Sequence, residues 1–374
     1  MGGEPWWKQW NPDNITLSDT TTTDAWKTCV IQGVYWSDKD QPRWLGARIS
    51  SIFVILFVST AFTMFPVFSS RRSWLRIPQW VYLFARYFGT GVIVATAFIH
   101  LLDPAYSEIG GSSCVGMSGN WAIYSWCPAI VLATIFGIFF VDLGSALYVE
   151  RRFGIQHQHG DGIEDAIVRK NEPSVSEDVE RSDLEHERSH NSKDDKLTDI
   201  ASSVSSEAVT VSFESQFGAF LVLEFGVIFH SVMIGLNLGS CGDEFSTLYP
   251  VLVFHQSFEG LGIGARLSAI RFPEGKIWWA YGLCLIYGLT TPVCVAIGLG
   301  VRNSYEGNSY AVNVVSGILD AISAGILIYT GLVELLARDF MFDENRTKDV
   351  KKIIYMIICT LWGAGLMALL GKWA

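Results

Sequence analysis

The chain has 374 residues, 50% of them hydrophobic and only 17% charged, with a formal net charge of -10 and seven cysteines. A soluble domain of this length needs more charge to cover its surface, and the sequence shows no basic patch, phosphate loop or Walker-type motif. Nucleic-acid binding and ATP-driven pumping are therefore excluded from the reading, which becomes an integral membrane protein with one acidic insert.

Residues 1–46 are polar and Trp-rich, with no secretory signal peptide, and read as an extracellular N-terminal tail. Eight segments then reach the roughly 20 mostly apolar residues that a spanning helix needs. They cover about 47–68, 80–103, 127–149, 215–239, 247–270, 276–300, 311–336 and 351–371, and the fifth is the most polar. The expected organisation is spans 1–3 in 47–149, a cytoplasmic loop over 150–213 and spans 4–8 in 214–374. Residues 151–213 hold 14 acidic and 8 basic residues, a local charge of -6, with few aromatics. Such a composition cannot build a core, so the loop is expected to be disordered.

Lys and Arg set the orientation. Arg71, Arg72 and Arg76 follow span 1, Arg151 and Arg152 follow span 3, and Arg266, Arg271 and Lys276 follow span 5. Arg338, Arg346, Lys348, Lys351 and Lys352 follow span 7, whereas the alternate loops hold only Arg302. The odd loops are then cytoplasmic and both termini extracellular. The Asn14 sequon falls outside, where it is open to glycosylation, and the Asn345 sequon falls inside. Cys29, Cys114, Cys127 and Cys241 fall on the side where disulfides are permitted, and a Cys114–Cys127 bridge is expected. Cys284, Cys294 and Cys359 read as small buried hydrophobes.

Ionisable residues inside a span are costly and usually functional. His230 lies near the middle of span 4, with Ser231 beside it and Asn237 two turns on along one face. In span 5, His255 and Glu259 are one helical turn apart with Gln256 between them. Imidazole, carboxylate and neutral oxygens suit Zn²⁺, Fe²⁺, Mn²⁺ or Cd²⁺ better than Cu⁺ or Mg²⁺. Gly235 and Gly239 in span 4, and Gly260 and Gly264 in span 5, have the spacing that lets helices pack closely. Close packing of these two spans is expected to bring His230 to His255 and Glu259. Pro292, beside Thr290 and Thr291, is expected to kink span 6 or line a pathway. His100 and Asp103 share a face at the outer end of span 2 and form a secondary outer access or capping site. Asp142, Glu224, Asp320 and Glu334 lie towards span ends, where structural or interfacial roles are expected. His157, His159, Asp161, His186 and His190 in the acidic loop offer either a weak, regulatory metal site or simply part of a solvated acidic linker.

Two sequence stretches carry a family resemblance. EFGVIFHSVMIG (224–235) and HQSFEGLGIGARL (255–267) resemble the span-4 and span-5 signatures of the ZIP (ZRT/IRT-like) metal transporters. FGTGVIVATAFIHLLDPA (88–105) and LDAISAGILIYTGLVELLA (319–337) resemble the family's second and seventh spans, and the fungal and plant zinc and iron importers are the nearest subgroup. The resemblance implies an all-α fold with an inverted repeat of spans 1–3 and 6–8 around spans 4 and 5. It further implies a homodimer in which spans 1, 4, 5 and 6 move against the rest. His230, His255, Gln256 and Glu259 match the transport-site residues by position. Ser231 stands where many members have Asn. Ile234 stands where some have a Glu that bridges two metals, which favours a single transported ion.

The reading is a multi-pass plasma-membrane importer, not an enzyme, whose partners are a divalent metal ion and the lipid bilayer. It needs no cofactor; Zn²⁺ is the preferred cargo, with an Fe²⁺ or Mn²⁺ importer of the same family as the alternative. A membrane-embedded zinc hydrolase and a metal-sensing receptor are rivals from other classes.

Overall fold

The computed structural model describes residues 24–32, 34, 44–71, 78–153, 194–241, 245–270, 272–273, 275–301, 309–342 and 347–372. The Asn14 and Asn345 sequons and the loop residues His157, His159, Asp161, His186 and His190 lie outside them. Regular structure among the described residues is helical throughout. A short α1 (Asp24–Ile31) precedes α2 (Leu45–Ser69), α3 (Gln79–Ala95), α4 (Asp103–Ile109) and α5 (Trp126–Phe153). Then come α6 (Asp194–Ser240), α7 (Phe245–Ala269), α8 (Trp278–Val301), α9 (Tyr310–Tyr329) and α10 (Val350–Leu370). A π-helical segment, Thr96–Leu102, joins α3 to α4 without a break, and another, Thr330–Phe342, extends α9.

Local chemistry fixes several of these ends. The Ser309 hydroxyl accepts the Val312 N–H at the start of α9, and the Asp349 carboxylate accepts the Lys351 N–H at the start of α10. Pro66, Pro250 and Pro292 sit inside α2, α7 and α8. The Thr290 hydroxyl bonds back to the Ile286 carbonyl, while Thr291 is fully buried on the inner face of α8.

Among the described residues, seven helices are long and apolar enough to cross a membrane: Leu45–Ser69, Gln79–Ile109, Trp126–Ser145, Gln216–Ser240, Trp278–Val301, Tyr310–Phe342 and Val350–Leu370. α7 has 25 residues, but His255, Gln256, Glu259 and Arg266 lower its hydropathy, and it is not among the seven. α6 starts at Asp194, about twenty residues before the expected fourth span and inside the stretch expected to be disordered. Within α6 the stretch long and apolar enough to cross a membrane is Gln216–Ser240, close to the expected fourth span.

The helices bury polar surface and expose apolar surface. Ser51, Ser59, Thr63, Thr90, Thr96 and Ser323 are buried, whereas Phe53, Phe57, Phe140, Leu361 and Trp362 are more than half exposed. That inversion matches a lipid surround, where apolar side chains need no shelter and polar ones do. α7 lies against α2 and α3; α8 packs on α2 and α6, α10 on α3, and α9 on α4, α5 and α6.

The glycines of the two central helices serve other neighbours than expected. A Cβ at Gly235 would lie 2.7 Å from the Thr291 carbonyl oxygen, and one at Gly239 2.5 Å from that of Val295, so both face α8. Cβ atoms at Gly260 and Gly264 would meet Thr63 of α2 at 2.7 and 2.2 Å. α6 and α7 are therefore each clamped by an outer helix and meet through side chains. The tightest backbone approach of α7 is to α3, where a Cβ on Gly89 would fall 2.1 Å from the Gly262 Cα.

The expected Cys114–Cys127 bridge does not form. Cys114 is bonded to Cys29, and Cys127 is a free buried thiol. Cys127 lies in the first turn of α5 with its side chain in the main core, whereas Cys29 of α1 forms a small cluster with Val34 and Cys114. Cys284, Cys294 and Cys359 are free and buried.

Candidate metal site

α6 and α7 bring three ligand atoms together. The Nε2 atoms of His230 and His255 are 3.3 Å apart, and His255 Nε2 is 3.7 Å from Glu259 Oε2. All three side chains are buried, and their ligand atoms lie within 4.8 Å of one another. Ligands held about 2.0–2.1 Å from a tetrahedral zinc are separated from each other by about 3.4 Å. The two histidines thus stand at the separation of two corners of one coordination shell. The helical period explains the pair from α7, since His255 and Glu259 share a face.

Surrounding groups hold these ligands in place. The Tyr287 hydroxyl of α8 lies 3.2 Å from Glu259 Oε2 and 3.0 Å from Gln256 Oε1. Ser59 Oγ of α2 donates to the same Gln256 oxygen at 3.2 Å. Gln256 is thereby tied to α2 and α8, and its amide nitrogen has no partner among the described residues. Ser231 is fully buried beside His230, and its hydroxyl likewise has no partner among the described residues. Sequence reasoning missed Tyr287. The available signal was that a phenol in an apolar span needs a hydrogen-bond partner, but nothing in the sequence named Glu259 as that partner.

A cavity of about 310 Å³ leads to the ligands from one end of the bundle. Asn237 and Ile234 of α6 line it with His100 and Asp103, and His230 and His255 lie along its wall. The His100 and His255 rings meet edge to face with centroids 5.0 Å apart, and His100 Nε2 is 3.2 Å from the Met367 carbonyl oxygen. The structure therefore places His100 at the cluster and Asp103 farther out on the exposed part of the wall.

On the other side of the cluster α3 and α7 are in close contact. The Phe88 and Phe258 rings contact edge to face at 5.3 Å beside the Gly89–Gly262 approach. Beyond them Arg86 pairs with Asp339 at 2.8 Å, and the Arg266 guanidinium donates to the Thr90 hydroxyl. Glu224, on α6 towards this side, is buried, and neither carboxylate oxygen has a hydrogen-bond partner among the described residues. Two of the other acidic residues take structural roles. Asp142 accepts the Tyr329 hydroxyl at 2.9 Å, and Glu334 pairs with Arg338 at 2.9 Å.

The comparisons agree with this geometry. The ZIP Zinc transporter family model matches residues 45–371. "Zinc-regulated transporter 1" of Saccharomyces cerevisiae is 62% identical over 371 residues, covering 99% of this chain and 98% of its own. "Zinc-regulated transporter 1" of Schizosaccharomyces pombe is 39% identical, covering 88% and 86%. "Zinc transporter 5" of Oryza sativa subsp. japonica is 32% identical, covering 90% and 89%. The match spans every membrane-crossing helix and the His230–His255–Glu259 cluster: the chain belongs to the ZIP zinc transporter family.

Proposed function

We propose that the protein imports Zn²⁺ across the plasma membrane by alternating access, binding one ion at a time between α6 and α7. The observation that carries this reading is the buried His230–His255–Glu259 cluster, reached by a cavity from one end and backed on the other by the Phe88–Phe258 contact. A transporter caught open to one side has this form. The relatives named as zinc transporters favour zinc over Fe²⁺ and Mn²⁺ as cargo, and favour transport over hydrolysis or sensing.

In this reading α7 also crosses the membrane, as the fifth of eight spans; its polar residues are sheltered from lipid by α2, α3 and α8. Both termini are extracellular, and the cavity opens outward, because it is lined by the ends of helices that loop charges assign to the outside. The Cys29–Cys114 bridge agrees with that sidedness. The family's inverted repeat and homodimer complete the assembly. Gln256, Ser231 and Asn237 complete the polar lining around the three ligands. With Ile234 on the cavity wall, position 234 offers no carboxylate to bridge a second ion.

The energy comes from the gradient. A divalent cation moving inward gains about 4.6 kcal/mol per 100 mV, negative inside, worth roughly three decades of concentration. Release requires that the site not bind too tightly. His230→Ala, His255→Ala and Glu259→Ala should each lower radiolabelled zinc uptake by more than about 100-fold, beyond the 10–100-fold typical of losing an outer-shell partner. Surface labelling should show normal amounts of each variant. Normal uptake in all three would end this model.

A further inference from the structure

The cavity that leads to the metal cluster holds a second set of cation ligands on its way in. Glu108 of α4 and Asp320 of α9 both line it, together with Asn313 and Ser316. Their juxtaposition is built by a close helix contact. A Cβ on Gly317 would fall 2.6 Å from the Ile109 Cγ2 and 3.2 Å from the Glu108 Cβ, so the end of α4 rests directly on α9 there. Asp320 follows Gly317 by one helical turn, and Ser316 and Asp320 share a face. The contact sets Glu108 beside Asp320 on the cavity wall.

Neither acid is used by the fold. Asp320 is only 7% exposed, yet it has no hydrogen bond or ion pair among the described residues. The buried Oε2 of Glu108 has none either. Two carboxylates held together without a donor or a cation repel each other and cost desolvation, unlike Asp142, Glu334 and Asp339, which each have a partner. A proton would offset that cost, and so would a cation supplied from the cavity, which would take the proton's place.

The geometry points to an outer station for a hydrated divalent cation at Glu108 and Asp320, with Asn313 and Ser316 as neutral oxygen donors. This inference rests on the transporter reading, in which the cavity is the inward route. The chemistry divides the work between the two stations. Oxygen ligands accept Zn²⁺, Mn²⁺, Mg²⁺ and Ca²⁺ with little discrimination and leave water on the ion, whereas the two imidazoles deeper in reward the loss of that water for zinc. The outer pair concentrates cations at the mouth, and the inner cluster selects among them.

Two measurements on the full-length protein test this. In uptake assays with zinc, E108Q and D320N should each raise KM about tenfold, the scale on which a charged cleft raises local counter-ion concentration, with Vmax falling less than twofold. KM does not depend on how much protein reaches the membrane, and D320E should retain a KM near that of the parent. Added salt should raise KM in the parent more than in either variant. Second, equilibrium dialysis with zinc compares purified H230A/H255A/E259A with the same chain carrying E108Q and D320N as well; the latter should bind one ion fewer per chain. An unchanged KM in both variants, or equal zinc binding in the dialysis pair, overturns the outer station while leaving the transporter reading intact. A parent chain without any flux would instead overturn the transporter reading, and the dialysis pair would still decide the outer station.

Discussion

His230 and His255 face each other nitrogen to nitrogen, and Glu259 is steadied by the Tyr287 hydroxyl. Only unprotonated imidazole can bind a metal, so protons and zinc compete for the same lone pairs. An imidazole ordinarily takes up its proton as pH falls through about 6.5. Zinc uptake should therefore fall as the external pH drops through that range, with the loss carried by KM. Undiminished uptake at about pH 5, well below the ordinary imidazole range, would contradict histidine ligation in the outward-facing state. Tyr287→Phe removes the hydroxyl that positions Glu259 and Gln256 and nothing else. It should raise KM about 10-fold or more, as loss of an outer-shell partner does, whereas an unchanged KM would make the phenol a packing residue. At this scale the sequence was most legible where chemistry is local. His255 and Glu259 one turn apart announce a shared face, and His230 is the matching ligand in the preceding span. The partners supplied from α2 and α8, Ser59 and Tyr287, depend on which helices neighbour α7, and no spacing along the chain encodes that.

The helices themselves show where periodicity suffices and where it does not. Seven spans follow from hydropathy, while α7 fails the same test because it carries the site. Small residues at helix-contact spacing correctly predicted close approach but not the partner. Gly235 and Gly239 seat α8, and Gly260 and Gly264 seat α2. On the side of the cluster away from the cavity, Gly89 and Gly262 let α3 and α7 touch backbone to backbone. Gly89→Ala places a methyl 2.1 Å from the Gly262 Cα. Overpacking of this kind typically costs about 1–3 kcal/mol, so the purified variant should melt at a lower Tm, whereas Gly46→Ala, with nothing within 4 Å, should not. Equal melting of the two variants would show that the contact yields without cost.

For the whole molecule, composition alone separated a neutral apolar body from an acidic insert, and loop charges assigned sides that the Cys29–Cys114 bridge fits. The pairing itself was not legible. Cys114 and Cys127 are near in sequence, but Cys127 points into the core from the first turn of α5, and the tail helix α1 reaches Cys114 instead. The one-sided cavity was also beyond reach, because it exists only once α4, α6, α7 and α9 are assembled. It is the feature that turns a buried ligand cluster into a transit site. The most direct test is zinc flux into proteoliposomes made from the purified full chain and from His255→Ala, at zero and at inside-negative potential. The account predicts flux in the parent that rises with inside-negative potential, needs no ATP and disappears in His255→Ala; no flux in the parent, or equal flux in the two, would contradict it.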